Sequence, residues 1–178
     1  MNPRTGRLAA AATVLVLTVG GCASGPSQEE IMADNTEARS EIRRLVDETV
    51  EVLLPATADL APEEVTDGIH ESWSACGDDP FGPSDPPESI NWSYYRSFRT
   101  PPEADTPARV GEIAPAFLTR GWTARQGTVN DFQRIEVFSN DDGYVLELTG
   151  QLADDDEPSY LVVTALSPCV PTPPDLEW

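Results

Sequence analysis

Between Ile31 and Leu53, apolar residues recur at mixed three- and four-residue steps: Ile31, Ala38, Ile42, Leu45, Val46, Val50 and Leu53. That period lays an apolar stripe along one side of an α-helix and leaves charge on the other. Arg43/Asp47 and Arg44/Glu48 fall at i,i+4 on the wet side, where opposite charges support a helix. Ser27-Gln28-Glu29-Glu30 has the spacing of a capping box, in which hydroxyl and carboxylate satisfy first-turn amides. The pattern predicts an amphipathic helix that ends before Pro55, whose ring removes an intrahelical bond. A stripe of this kind usually faces a core rather than a partner.

The period then changes from helical steps to alternation. Residues 60–68 are ambiguous, with one helical turn around Pro62. Ile69 to Cys76 reads as a short strand that turns Trp73 inward. "CGDDPFGPSDPPES" is too rich in Pro, Gly and Asp to be anything but loop, which sets a proline-rich loop at residues 77–90. "INWSYYRSF" alternates, with Trp92, Tyr94, Arg96 and Phe98 on one side and Tyr95 opposite.

Thr106-Pro107 supplies an N-cap followed by Pro at the first helical position. Val110, Ile113, Ala114, Phe117 and Leu118 make the apolar face of a second, shorter helix, with Gly121 as its C′ stop. Pro115 interrupts that face, so the helix either kinks or has its regular part from Ala114. "WTARQGT", "FQRIEVFS", "YVLELTGQL" and "SYLVVTALS" each have strand length and β-branched or aromatic content. "NDDG" is a tight hairpin turn in which Asp142-Gly143 tolerate positive φ, and "ADDDEP" joins the next pair. Prolines keep the tail, residues 168–178, extended.

Strands following two helices predict an α+β fold. The expected architecture is the N-terminal amphipathic helix and the shorter one on one face of an antiparallel sheet of about 4–6 strands. Trp73, Trp92, Tyr94 and Phe117 fall where helices and sheet would meet. They either fill the core or line a pocket for a lipid or glycan.

The N-terminus has a different character. Arg4 and Arg7 precede an unbroken apolar run, Leu8 to Val19, which is the layout of a secretory signal. Crossing roughly 30 Å of hydrocarbon takes about 20 apolar residues, and this run is shorter. It ends in Val19-Gly20-Gly21-Cys22.

An aliphatic residue, two small residues and a Cys resemble the lipobox of bacterial lipoproteins. The resemblance implies that the Cys22 thiol receives a diacylglyceryl group, that signal peptidase II cuts before it, and that Cys22 becomes the acylated first residue, carrying chains such as palmitate. Residues 1–21 are then a signal peptide, residues 22–28 a lipidated tether, and residues 29–178 a single extracytoplasmic domain. The protein is expected to be exported and held by lipid on the outer face of the cell membrane.

Composition narrows the partners. Of eleven basic and thirty-one acidic residues, the signal carries two basic ones, so the mature balance is 9 − 31 = −22. All the basic residues are arginine, and lysine is absent. This looks like the product of a GC-rich genome and, with the lipobox, makes the chain similar to small cell-envelope lipoproteins of actinobacteria. Gly121-Trp122 after a helix and Pro168-Cys169 after a strand are further points of similarity to that group. Such acidity argues against nucleic acid, which rewards Lys and Arg through counterion release. It also argues against the body lying on anionic headgroups. Membrane contact is therefore expected through the lipid anchor, leaving an envelope protein, lipid or glycan as the open partner.

With Cys22 acylated, Cys76 and Cys169 remain, and an oxidising compartment lets them pair. Free thiols or a redox or metal role are the alternatives. C-x-x-C spacing is absent and His70 is the lone histidine, so no metal and no cofactor is expected. A disulfide needs Cα atoms about 4.4–6.8 Å apart, which would place the strand at residues 69–76 beside the end of the one at residues 159–167.

Catalytic constellations are scarce. A Ser-His-acid triad would have to draw on His70 with Ser72 and Glu71, which are sequence neighbours and alternate faces on a strand; no G-x-S-x-G elbow is present. Asp78-Asp79 and Asp154-Asp155-Asp156 lie in loops without EF-hand spacing. No catalytic residue is assigned. The expectation is a non-catalytic binding or interaction domain, with a small extracytoplasmic hydrolase or a lipid or glycan carrier as the alternative.

Overall fold

The computed structural model describes residues 25–66, 70–77, 87–153 and 157–176. The signal segment, Cys22, Asp78-Asp79, Asp154 to Asp156, and most of the proline-rich loop lie outside these residues. No described helix is long and apolar enough to cross a membrane.

Helix α1 runs Gln28–Ala56 and opens on the expected capping box: Glu30 N–H donates to Ser27 Oγ at 3.3 Å, and Ser27 N–H to Glu30 Oε2 at 2.7 Å. It continues through Pro55 rather than stopping before it. Proline's fixed φ suits a helix, and near the C-terminus few turns remain for the lost bond to disrupt. Thr57 closes the end, donating its N–H and its hydroxyl to Leu53 O at 3.0 and 2.8 Å. A 3-10 turn at Ala58–Leu60 then leads to β1, Glu63–Val65, a strand that the ambiguous stretch had concealed.

The remaining elements are β2 (Glu71–Ala75), β3 (Ser89–Thr100), α2 (Thr106–Ile113), α3 (Pro115–Leu118), β4 (Thr123–Ala124), β5 (Thr128–Val129), β6 (Gln133–Ser139), β7 (Val145–Gln151), β8 (Ser159–Leu166) and β9 (Val170–Pro171). The sheet has nine strands, not 4–6, in the order β1-β3-β8-β7-β6-β4, and every pairing is antiparallel. The excess comes from short segments that share one side of a longer strand. β1 and β2 both pair β3, and β4 and β5 both pair β6. "WTARQGT" is thus two fragments, not one strand. β3 begins at Ser89, inside the span assigned to the proline-rich loop.

Alternation sends Trp92, Phe98, Phe138, Leu146, Leu148, Leu161, Val163 and Ala165 toward the helices, where they join the α1 stripe in one cluster. α2 is capped by Asp105, whose carboxylate accepts Ala108 N–H at 3.0 Å. Thr106, expected as that cap, is the first helical residue and donates its hydroxyl to Gln151 O at 2.9 Å. Pro115 does interrupt the second helix, but the regular part precedes it. Leu118, assigned to the apolar face, is exposed. In the NDDG turn Gly143 alone takes positive φ, +86°. Gly150 lets α2 rest on β7: a Cβ there would fall 2.3 Å from Thr106 O.

Cys76 and Cys169 are disulfide-bonded, with Cα atoms 6.2 Å apart. The strand placement inferred from that bond is different, however. β2 pairs β3, not β8, and the bridge crosses the start of β3 to the segment leading into β9. A disulfide fixes two Cα positions. It does not require their strands to be hydrogen-bonded.

Candidate functional site

The aromatic residues singled out from sequence separate into two places. Phe117 is 2% exposed, at the centre of the core, with its ring centroid 5.4 Å from that of Phe138. It lines no opening. Trp92 and Trp73 are direct cross-strand partners on β3 and β2, and Tyr94 lies two residues along on the same face. Trp73 and Tyr94 are partly buried against the core, while Trp92 is buried.

Trp92 forms the floor of a cleft of about 200 Å³ between the first turns of α1 and the C-terminal tail, walled by Met32, Thr36, Pro173 and Leu176. Pockets that enclose small ligands usually run to about 300–1,000 Å³, so this one is small. The indole and amide that line it are already engaged, while the Asp175 carboxylate at its rim has no partner among the described residues. Trp92 Nε1–H donates to Asn35 Oδ1 at 2.8 Å, and Asn35 Nδ2 donates to Pro171 O at 2.9 Å and Ile31 O at 2.7 Å. The Arg39 guanidinium lies 4.7 Å from the Trp92 ring centroid and pairs with Glu71.

Glu71 collects Arg39 and Arg43 from α1. One turn on, Arg96 of β3 donates to Glu64 at 2.6 and 2.7 Å and to Asp47 at 3.0 Å. Arg43 and Asp47, expected to pair with each other, are therefore drawn across to the sheet; Arg44 does pair with Glu48. The Arg96 guanidinium holds the Glu64 carboxyl below the usual carboxylate range. Together these pairs form a charged seam that seats α1 over the β1/β2 edge. Each pair joins a mostly buried hub, Glu71 or Arg96, to a more exposed partner; fully exposed pairs contribute at most about 1 kcal/mol each.

The three residues from which a triad would have been drawn go separate ways. Glu71 is held by arginines; Ser72 Oγ lies 2.7 Å from Ser93 Oγ; His70 packs its ring 5.5 Å from that of Tyr95. Among the described residues, no group of three or more His, Cys, Asp or Glu is placed to hold a metal ion.

One feature had no sequence signal: the face of the sheet turned away from the helices. Glu147 stands near its centre, half-buried, and burial raises its carboxyl above the ordinary range. It makes no ion pair or hydrogen bond with a described residue.

No protein-family model and no curated protein matches the chain. Among solved structures, it is similar to that of a DUF4853 family protein from Actinomyces odontolyticus ATCC 17982, at 16% identity and a TM-score of 0.45. That likeness covers 76% of this chain and 70% of that one.

Proposed function

We propose that this protein is a lipid-anchored extracytoplasmic lipoprotein that presents a non-catalytic interaction domain at the outer face of the cell membrane. The observation that carries the second half is the packing between helices and sheet. Ile42, Val46, Phe98, Phe117, Phe138, Leu148 and Leu161 fill that space with at most 2% exposure each, where a carrier or hydrolase would need a cleft. What the domain offers a partner is surface.

Anchoring is supported by the charged lead, the short apolar run and the Val-Gly-Gly-Cys ending. The Cys76–Cys169 disulfide accords with an oxidising compartment. The test is intact mass of protein extracted from membranes. The expected species begins at Cys22 with added acyl mass, and Cys22→Ser should accumulate as unprocessed precursor. A soluble mature chain beginning beyond Cys22 would overturn the anchor. A hydrolytic activity abolished by a single substitution at His70 or a carboxylate would overturn the non-catalytic assignment.

A further inference from the structure

The outward face of the sheet sets apolar positions, among them Val137, Val145, Val162 and Leu166, beside polar ones, among them Ser97, Thr149 and Thr164. Helices α1 and α2 pack on the opposite face, and among the described residues no helix or strand packs on this one. A sheet with one wet face normally alternates apolar and polar residues; strands covered on both faces read as near-continuous apolar runs. β8, Ser-Tyr-Leu-Val-Val-Thr-Ala-Leu, is of the second kind. Its outward positions carry Tyr160, Val162, Thr164 and Leu166, each half-buried.

Register places the acid at the middle. Glu147 is opposite Thr164 on β8 and Val137 on β6. The flanking rows bring Ser139, Val145 and Leu166 on one side and Ile135, Thr149 and Val162 on the other. A lone carboxylate in a ring that is aliphatic except for Ser139, Thr149 and Thr164 loses hydration without gaining an ionic partner, which is costly until a cation arrives. The cations on this face stand at its margins: Arg99 near the end of β3, and Arg125, whose Nε–H donates to Ser139 Oγ at 2.7 Å.

The four long strands, at about 4.8 Å spacing and 3.4 Å rise, give this face on the order of 400 Å². That is about half of one partner's share in a standard interface. A reversible contact suits it better than a permanent one. Charge selects the occupant. A second copy would bring another strongly acidic chain, of formal charge −20 with its leader included, and another acid to the same face. An anionic lipid surface is repelled for the same reason. A basic side chain set among apolar ones meets both requirements, because it neutralises Glu147 while its neighbours cover the aliphatic ring.

We propose that this face is the docking surface for a protein segment in which a Lys or Arg is flanked by apolar side chains, the cation meeting Glu147. The proposal rests on the interaction-module reading above and adds to it the surface and the chemistry of the partner.

The experiment uses the full chain in membranes of the cell that makes it, with p-benzoylphenylalanine as probe at Val162 and, separately, at Glu51 on the exposed side of α1. Photolysis should give a protein adduct from position 162 and not from 51. Glu147→Gln should lower the yield several-fold and Glu147→Arg should abolish it, while both variants keep the parent's disulfide and circular dichroism spectrum. The sequenced adduct peptide should carry Lys or Arg among apolar residues. A homodimer, a lipid adduct, an acidic peptide, or a yield indifferent to Glu147→Arg would each overturn the proposal. An adduct from position 51 alone would overturn this surface and leave the interaction module standing. No adduct from either position, on chains that do carry acyl mass, also overturns it. Chains without acyl mass would bring down the anchored reading separately.

Discussion

Trp92 donates its indole N–H to Asn35 at 2.8 Å, and through that one amide the start of β3 is tied to the first turns of α1 and to the tail at Pro171. Asn35 is 4% exposed within a stripe that is otherwise mostly apolar. A buried amide in such a stripe is stable only while its donors and acceptor are all engaged, as they are here.

Asn35→Ala should therefore strand the Trp92 N–H and the Pro171 carbonyl. Each buried group left unpaired costs about 1–3 kcal/mol, so a loss of about 2–6 kcal/mol is expected in urea unfolding. Trp92→Phe in the Asn35→Ala background should cost much less than Trp92→Phe alone. Additive losses would mean that the bond contributes little.

The disulfide joins residues 93 apart in sequence. Constraining so long a loop in the unfolded chain stabilises the fold by about 4–5 kcal/mol on the chain-entropy estimate. Reduction, or the double substitution Cys76→Ala/Cys169→Ala, should lower the melting temperature by roughly 10 °C. A fall under about 2 °C would show that the reduced chain retains the same constraint by other contacts.

Gly150→Ala should destabilise although it adds a single methyl. Its Cβ would meet backbone, Thr106 O at 2.3 Å and Pro107 N at 2.7 Å, so α2 must lift from β7. Overpacking of this kind costs about 2–3 kcal/mol. Urea midpoints of the two proteins decide it, and an unchanged midpoint would mean that α2 is not held against the sheet.

Glu147 gives stability an inverted pH dependence. Its folded carboxyl titrates above the ordinary value of 4.5 because burial disfavours the charge. The folded state then binds more protons than the unfolded one in the window above 4.5, so this residue's contribution falls as pH rises through that window. Glu147→Gln should raise the melting temperature at pH 7 by about 1–3 °C and leave it nearly unchanged near pH 3. A stabilisation equal at both pH values would point to packing rather than charge.

Much of the fold is legible along the chain because it follows from short-range periodicity. The α1 stripe, the Ser27/Glu30 box and the alternation at Trp92 to Phe98 depend on residues three or four apart, or two apart, whose spacing states which side is apolar. The elements that escaped, β1 and the β4/β5 break, are three and two residues long, too short to carry a period, and they exist because a neighbouring strand supplies their hydrogen bonds. Pro55 misled for a related reason: whether a helix tolerates proline depends on how its end is closed, here by Thr57.

The candidate site divides in the same way. The residue types that matter, a short apolar leader ending at Cys22, two further cysteines and a strongly acidic body, are properties of the chain itself. That Phe117 fills a core while Trp92 floors a small cleft was decided by which strands became neighbours. So was the position of Glu147. In β7 it reads as an ordinary polar residue on the wet side of a strand, like any alternating acid. Only the antiparallel register of β6, β7 and β8 sets Val137, Val162 and Leu166 around it, because cross-strand neighbours come from separate stretches of sequence whose pairing no local pattern records.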